Sequence, residues 1–201
     1  MTTNRNICFY HNNATSLASQ YNATSFEKVH QSWQAYWPVE NDVILDVGAG
    51  SGRDALWMAQ QGCQVIAVEP AENLRHEGEK LTGDSVTWID DRLPDLNNVI
   101  TSRLCFDVIL LSAIWMHLSV SERKTTLQVL SRLLSPNGRI ILTLRYGEFF
   151  DDRHAFEVSL NEISQLTKGS VLHQEFSSNI NADSLGRNEV MWQTVVLTRL
   201  S

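Results

Sequence analysis

The chain has 201 residues, with 16 Lys and Arg against 23 Asp and Glu, a formal net charge of −7 and 43% hydrophobic residues. This suits one domain with a single core and excludes a coiled coil, a disordered chain or a tandem of domains. The acidic balance argues against a nucleic-acid partner, no apolar run nears the ~20 residues that cross a bilayer, and three distant Cys with six scattered His give neither a disulfide framework nor a metal site.

Met1 to Tyr10 carries one Arg and no apolar stretch after it, so no secretory signal is read and a cytoplasmic location is expected. Residues 1–22, rich in Asn, Ser and Thr, read as an arm or lid. Thr24 or Ser25 is placed to cap a helix running to Trp37, where Pro38 stops it.

From residue 42, short β-rich runs alternate with helical stretches. The runs are Val43–Val47, Gln64–Val68, Val86–Ile89, Phe106–Leu111 and Arg139–Leu144. Between them lie Arg53–Gln61, Glu72–Lys80, a short segment near Pro94–Thr101, and Ser121–Leu134, which Pro136-Asn137-Gly138 should end as a turn. Continuous apolar strands separated by helices require a parallel sheet covered on both faces, hence a doubly wound α/β fold. A helix near Ser159–Lys168 follows, then strands near Val171–Phe176 and Val190–Leu197. With no helix between them, those two strands should pair antiparallel.

The most specific feature is Asp46-Val47-Gly48-Ala49-Gly50-Ser51-Gly52-Arg53, where an apolar strand turns through three alternating glycines directly into a helix. Glycines there allow positive φ and close approach of a ligand, and the helix start offers free N–H groups. The spacing departs from the G-x-G-x-x-G of dinucleotide sites, which disfavours a nicotinamide-dependent oxidoreductase. Asp46 would repel a pyrophosphate and suits a cationic ligand. The second strand ends at Glu69-Pro70, where a carboxylate can accept two hydrogen bonds from a ribose diol. The alternative is a helix N-terminal charge.

Asp46-x-Gly48-x-Gly50-x-Gly52, Glu69 and the β-α rhythm over residues 40–145 resemble class I S-adenosylmethionine-dependent methyltransferases of the small-molecule type. The resemblance implies a Rossmann-like, mostly parallel seven-stranded sheet with an antiparallel last strand. It further implies S-adenosyl-L-methionine as cofactor, a glycine loop (Asp46, Gly48, Ala49, Gly50, Gly52, Arg53) along the methionine part, and Glu69 with Pro70 at the ribose. Asp90 or Asp91, after the third strand, would contact the adenine amino group, and Ser112 and Trp115 would follow the fourth strand. The Asn/Asp-Pro-Pro-Tyr signature of exocyclic-amine methylation is missing from Ser112-Ala113-Ile114-Trp115-Met116-His117. This counts against base and release-factor substrates.

One methyltransferase domain is expected over 1–201: a covering arm and helix at 1–40, a cofactor-binding core at 41–145 and a C-terminal helix and strand pair at 146–201. Acceptor residues should follow the strand ends or come from the covering arm. His117 is the candidate general base, with helix capping or packing as the alternative. Arg145 and Arg187 offer bidentate bonds to an anionic acceptor, or else pair with Glu148 and Asp183. Tyr21 and Tyr146 are further acceptor candidates. Trp33, Trp37 and Trp115 would wall the sulfonium, with core packing the alternative for Trp33 and Trp37. The expected acceptor is a small molecule or short peptide with an O, N or S nucleophile, methylated by in-line displacement in a monomer or homodimer. A catalytically idle cofactor-binding or protein-interaction module is the alternative function.

Overall fold

The computed structural model describes residues 2–199. The expected arm is two helices, α1 (Thr2–Asn12) and α2 (Ala14–Asn22). Neither has an acid in its first turn, and Asn13 makes no N-capping bond. Packing overrides the poor propensity of this Asn- and Ser-rich stretch: Ala14 and Ala18, with Ile7 and Tyr10, cover Ala71 and Leu74.

The helix expected from residue 25 to Trp37 is shorter. Ser25 does cap α3 (Phe26–His30), accepting from the Lys28 N–H at 3.3 Å, but Gln31–Tyr36 continues as 3₁₀ turns with a non-helical Trp33. The carbonyl of His30, which an α-helix would use, accepts instead from the Trp37 indole at 3.1 Å. The Trp33 indole donates to His30 Nδ1 while its ring fills the core. Burial of these rings decides the backbone.

The remaining elements follow the expected alternation. They are β1 (Val43–Val47), α4 (Arg53–Gln60), β2 (Gln64–Val68), α5 (Glu72–Thr82), β3 (Val86–Ile89), α6 (Asn97–Thr101), β4 (Phe106–Leu111), α7 (Val120–Leu133), β5 (Leu134–Tyr146), α8 (Leu160–Thr167), β6 (Leu172–Ser177), β7 (Asn181–Ala182) and β8 (Met191–Arg199). The sheet order is β3-β2-β1-β4-β5-β8-β6, and β7 adds an eighth, two-residue strand beside β8. The first five strands are parallel; β8 runs antiparallel to β5 and β6 antiparallel to β8. Pro136-Asn137-Gly138 is no separate turn. Leu134 already pairs with Phe106 and the register slips before Val108 meets Arg139, so the tripeptide is a bulge within β5, with Asn137 at φ 64°.

Alternate residues of each strand enter different cores. Leu45, Ile109, Leu111 and Ile140 face α7 and α8, whereas Ile44, Val108, Leu110 and Ile141 face Phe26, Trp33 and Met58. Strand order reverses between β1 and β4. At their carboxyl ends the two following chains leave on opposite sides and open a crevice. Among the described residues, no helix is long and apolar enough to cross a membrane, and no group of three or more His, Cys, Asp or Glu is placed to hold a metal ion.

Candidate functional site

The crevice is a cavity of about 680 Å³. Its floor is the turn after β1, where Gly48, Gly50 and Gly52 take φ of 71°, 58° and 81°, in the left-handed region. A Cβ on Gly48 would lie 2.3 Å from Ile114 Cδ1, whereas one on Gly50 would meet nothing nearer than Leu74 Cδ2 at 3.9 Å. The first glycine permits close packing; the second leaves its peptide open to the cavity.

Of the residues expected at the cofactor, Asp46, Gly48, Ala49, Gly50, Arg53, Glu69, Pro70, Asp91 and Ser112 line the cavity. Gly52, Asp90 and Trp115 do not. Gly52 packs against Trp88 and Gly78. The Asp90 carboxylate is largely exposed and pairs with Arg75 at 3.4 Å. Trp115 is fully buried within the sheet–helix core and Trp33 lies in the opposite core, so the tryptophan wall is replaced by Tyr10, Tyr21 and Trp192. Asp91 lines the cavity but its carboxylate accepts from the N–H groups of Arg92, Asn98 and Val99, at 2.8, 2.7 and 3.0 Å, and so holds the start of α6.

The acids at the β1 and β2 ends are the electrostatic centre. Asp46 is 1% exposed and its Oδ2 has no hydrogen-bond partner. Burial, followed by the charges of Asp54 and Glu69, raises its carboxyl well above the usual range against the pull of Arg53. Glu69 Oε2 accepts from the Gly50 N–H at 3.0 Å and Oε1 from the Ala71 N–H at 2.8 Å. Burial outweighs these bonds and pushes its pKa up to about 7. Asp54 behaves oppositely. Burial raises it, but the Arg53 guanidinium, bound at 2.7 and 3.0 Å, and His30 at 2.9 Å hold it well below the normal range. Arg53 also donates to the Tyr21 carbonyl at 3.3 Å, and Ser51 to Asn22 at 2.8 Å, clamping α2 onto the glycine turn. Sequence spacing did not bring out this clamp or the His30–Asp54 pair, because their partners come from separate helices.

His117 lines the cavity beyond Ile114. Its Nε2 lies 3.0 Å from the Tyr10 hydroxyl, and its Nδ1 lies 3.1 Å from both the His154 carbonyl and Asn6 Nδ2. Arg153 donates to the same Tyr10 oxygen at 3.5 Å. In the tautomer with the proton on Nδ1, which donates to the His154 carbonyl, Nε2 accepts from the Tyr10 O–H and Arg153 extends the chain. Burial lowers the His117 pKa to about 4, helped by the Arg153 and Arg145 charges. Asn6 bonds the His154 backbone in both directions, at 2.9 and 2.8 Å. Asn6, Arg153 and His154 escaped the sequence reading; their separations from one another and from His117 carry no local periodicity.

Tyr21 and Arg187 line the far wall, whereas Arg145 and Tyr146 do not. The Tyr146 hydroxyl donates to Gln193 at 2.8 Å. Arg187 takes the pairing alternative: its Nε and one terminal nitrogen reach Asp183 at 3.0 and 2.6 Å, and the Trp192 indole donates to the same carboxylate at 2.7 Å. Burial raises Asp183, but these donors outweigh it and bring its pKa to about 2.

Residues 45–142 match a family model described as a methyltransferase domain. The chain is 30% identical over 126 residues to an uncharacterized methyltransferase of Geobacillus kaustophilus, covering 60% of this chain and 53% of that protein. It spans between 53% and 66% of the length of the curated relatives it matches. Among solved structures it is similar to a TehB-like S-adenosylmethionine-dependent methyltransferase of Corynebacterium glutamicum, with TM-score 0.69, 18% identity and coverage of 96% of this chain and 98% of that one. It is also similar to the 1,6-didemethyltoxoflavin-N1-methyltransferase of Burkholderia thailandensis, solved with 1,6-didemethyltoxoflavin and S-adenosylhomocysteine. There the TM-score is 0.61 and the identity 16%, over 94% of this chain and 91% of that one. At these identities the structural likeness concerns the fold.

Proposed function

We propose that the chain is a class I S-adenosylmethionine-dependent methyltransferase, a reading supported by the methyltransferase-domain match over residues 45–142 and by the fold, and that it moves a methyl group from S-adenosylmethionine to an O, N or S nucleophile of a small molecule or short peptide. The observation that carries this reading is the buried, unpartnered Oδ2 of Asp46 on the cavity wall, beside an open glycine turn and 23 residues before Glu69. An orphaned buried acceptor of that kind is costly unless a donor or cation arrives to satisfy it.

The residues present fit the cofactor. Asp46 would receive its ammonium group, the peptide at Gly50 would allow close approach, and Glu69 would accept from the ribose hydroxyls with the lone pairs its two backbone bonds leave free. When bound, S-adenosylmethionine supplies an already electrophilic sulfonium methyl. The chain therefore needs mainly to orient a nucleophile and exclude water, and alignment of that kind supplies ~7–11 kcal/mol. Helices α1 and α2 cover the cavity and do the excluding. In this reading His117 positions the Tyr10 hydroxyl, because an imidazole held near 4 is a weak base at neutral pH.

The cavity volume lies within the ~300–1,000 Å³ of small-molecule sites, which supports a small acceptor. Calorimetry with S-adenosylhomocysteine tests the reading. Binding is expected for the native chain and its loss in Gly50→Val, whose side chain would occupy the open face of the turn. A native chain that binds NADH and not S-adenosylhomocysteine would overturn it.

A further inference from the structure

The cavity is divided by charge. Its cofactor end holds Asp46 and Glu69 beside Arg53; at its other end Arg187 lines the wall with Asp183, while Arg145 and Arg153 stand outside the lining, Arg145 feeling the charges of both Arg187 and Arg153. Arg145 stands just behind the wall. Thr143, Trp192 and Thr194 line the cavity, and Arg145 shares their face of the sheet: it lies two residues beyond Thr143 and opposite Trp192. Its guanidinium stacks on Phe149 at 3.9 Å, and Arg153 lies over the same ring at 4.1 Å.

Arginines 153 and 187 each own a carboxylate, Asp151 and Asp183, both at 2.6 Å. Arg145 is 7% exposed, its Nε is buried without a partner, and its other nitrogens reach only the carbonyls of Gly147 and Glu148. Among the described residues no carboxylate lies within ion-pair distance of it. Three guanidiniums against two carboxylates leave one positive charge uncompensated in a buried place, a costly arrangement unless an anion completes it. The hydroxyls of Tyr10 and Tyr21 belong to the same neighbourhood, since both sense Arg153.

We infer that the acceptor is an anion, and that its carboxylate or phosphate is held at the β5 and β8 end of the cavity by Arg145, whose Nε has no partner, with Arg187 beside it while still paired to Asp183. This rests on the methyltransferase reading for the word acceptor, while the anion site itself stands on the charge balance. Guanidinium pairs with carboxylate and phosphate alike, so the two sources share one chemistry.

Isothermal titration of the full chain with benzoate, phenyl phosphate and the neutral benzamide tests it, with and without saturating S-adenosylhomocysteine. One or both anions should bind at least tenfold more tightly than benzamide, and the stronger of them identifies the source. Arg187→Gln, on the partly exposed side, should weaken the anions at least tenfold and leave benzamide unchanged. Arg145→Gln should do the same, and if that variant does not fold the Arg187 result decides. Equal binding of benzamide, or anion binding untouched by Arg187→Gln, would overturn the inference. Selective anion binding in a chain that ignores S-adenosylhomocysteine would support the site and sink the methyltransferase reading.

Discussion

The hydroxyl of Tyr10 lies 3.0 Å from Nε2 of His117, a contact across 107 residues that ties helix α1 to the segment after β4. Together with Asn6 it closes one side of the cavity, using the stretch that the sequence reads as an arm or lid. The contact depends on a neutral imidazole that can accept.

The pH dependence of stability follows from that requirement. The folded pKa of His117, about 4, lies below its ordinary value of 6.5, so its contribution is complete above pH 6.5 and is lost as pH falls toward 4. The difference amounts to about 3 kcal/mol. Urea denaturation at pH 7 and pH 4.5 should show this loss in the native chain and a smaller one in His117→Gln. An equal loss in both would assign the effect elsewhere.

Asp46→Asn should separate stability from binding. The buried carboxylate lacks a partner for Oδ2 and faces Asp54 and Glu69, so removing its charge is expected to raise the unfolding free energy by about 1–2 kcal/mol. The same change should weaken S-adenosylhomocysteine at least tenfold, because the ammonium loses its counter-charge. Thermal unfolding with and without ligand reads both effects; a variant that is less stable and binds normally contradicts the assignment.

Glu69 gives a second pH signature. Burial holds its pKa up to about 7, and hydroxyl donors from a bound ribose favour the ionised form. Affinity for S-adenosylhomocysteine should therefore fall as pH drops from 8 to 6. Glu69→Gln should bind more weakly at pH 8 and show a flatter profile. Parallel profiles for the two proteins would remove Glu69 from the ribose.

Gly78→Ala probes the wall behind the glycine turn. In an ordinary helix the change gains about 1 kcal/mol, but here the new Cβ would lie 2.3 Å from the Trp88 ring. Overpacking costs roughly 1–3 kcal/mol, so net destabilisation is expected. A raised melting temperature would mean that Trp88 swings away freely.

The strands and most helices were legible because their signals are local: apolar runs set β1 to β4, and the glycine turn announces the crevice. The missing helix between the last two predicted strands correctly gave an antiparallel ending. Local signals failed where burial overruled them. Trp33 and Trp37 broke a helix that spacing alone would continue, and packing on α5 made helices of residues 2–22.

For the proposed site, the sequence by itself pointed to Asp46, Gly48, Gly50 and Glu69, all of which line the cavity, since one strand–turn–helix and the end of the next strand bring them together. Only the tertiary structure decided that Asp91 is spent on capping α6, that Trp115 is core, that His117 answers to Tyr10, and that Arg145 is left without a carboxylate. The physical reason is that these roles are charge and hydrogen-bond balances among residues up to about 150 positions apart. Such balances exist only once the sheet has brought their members to one edge.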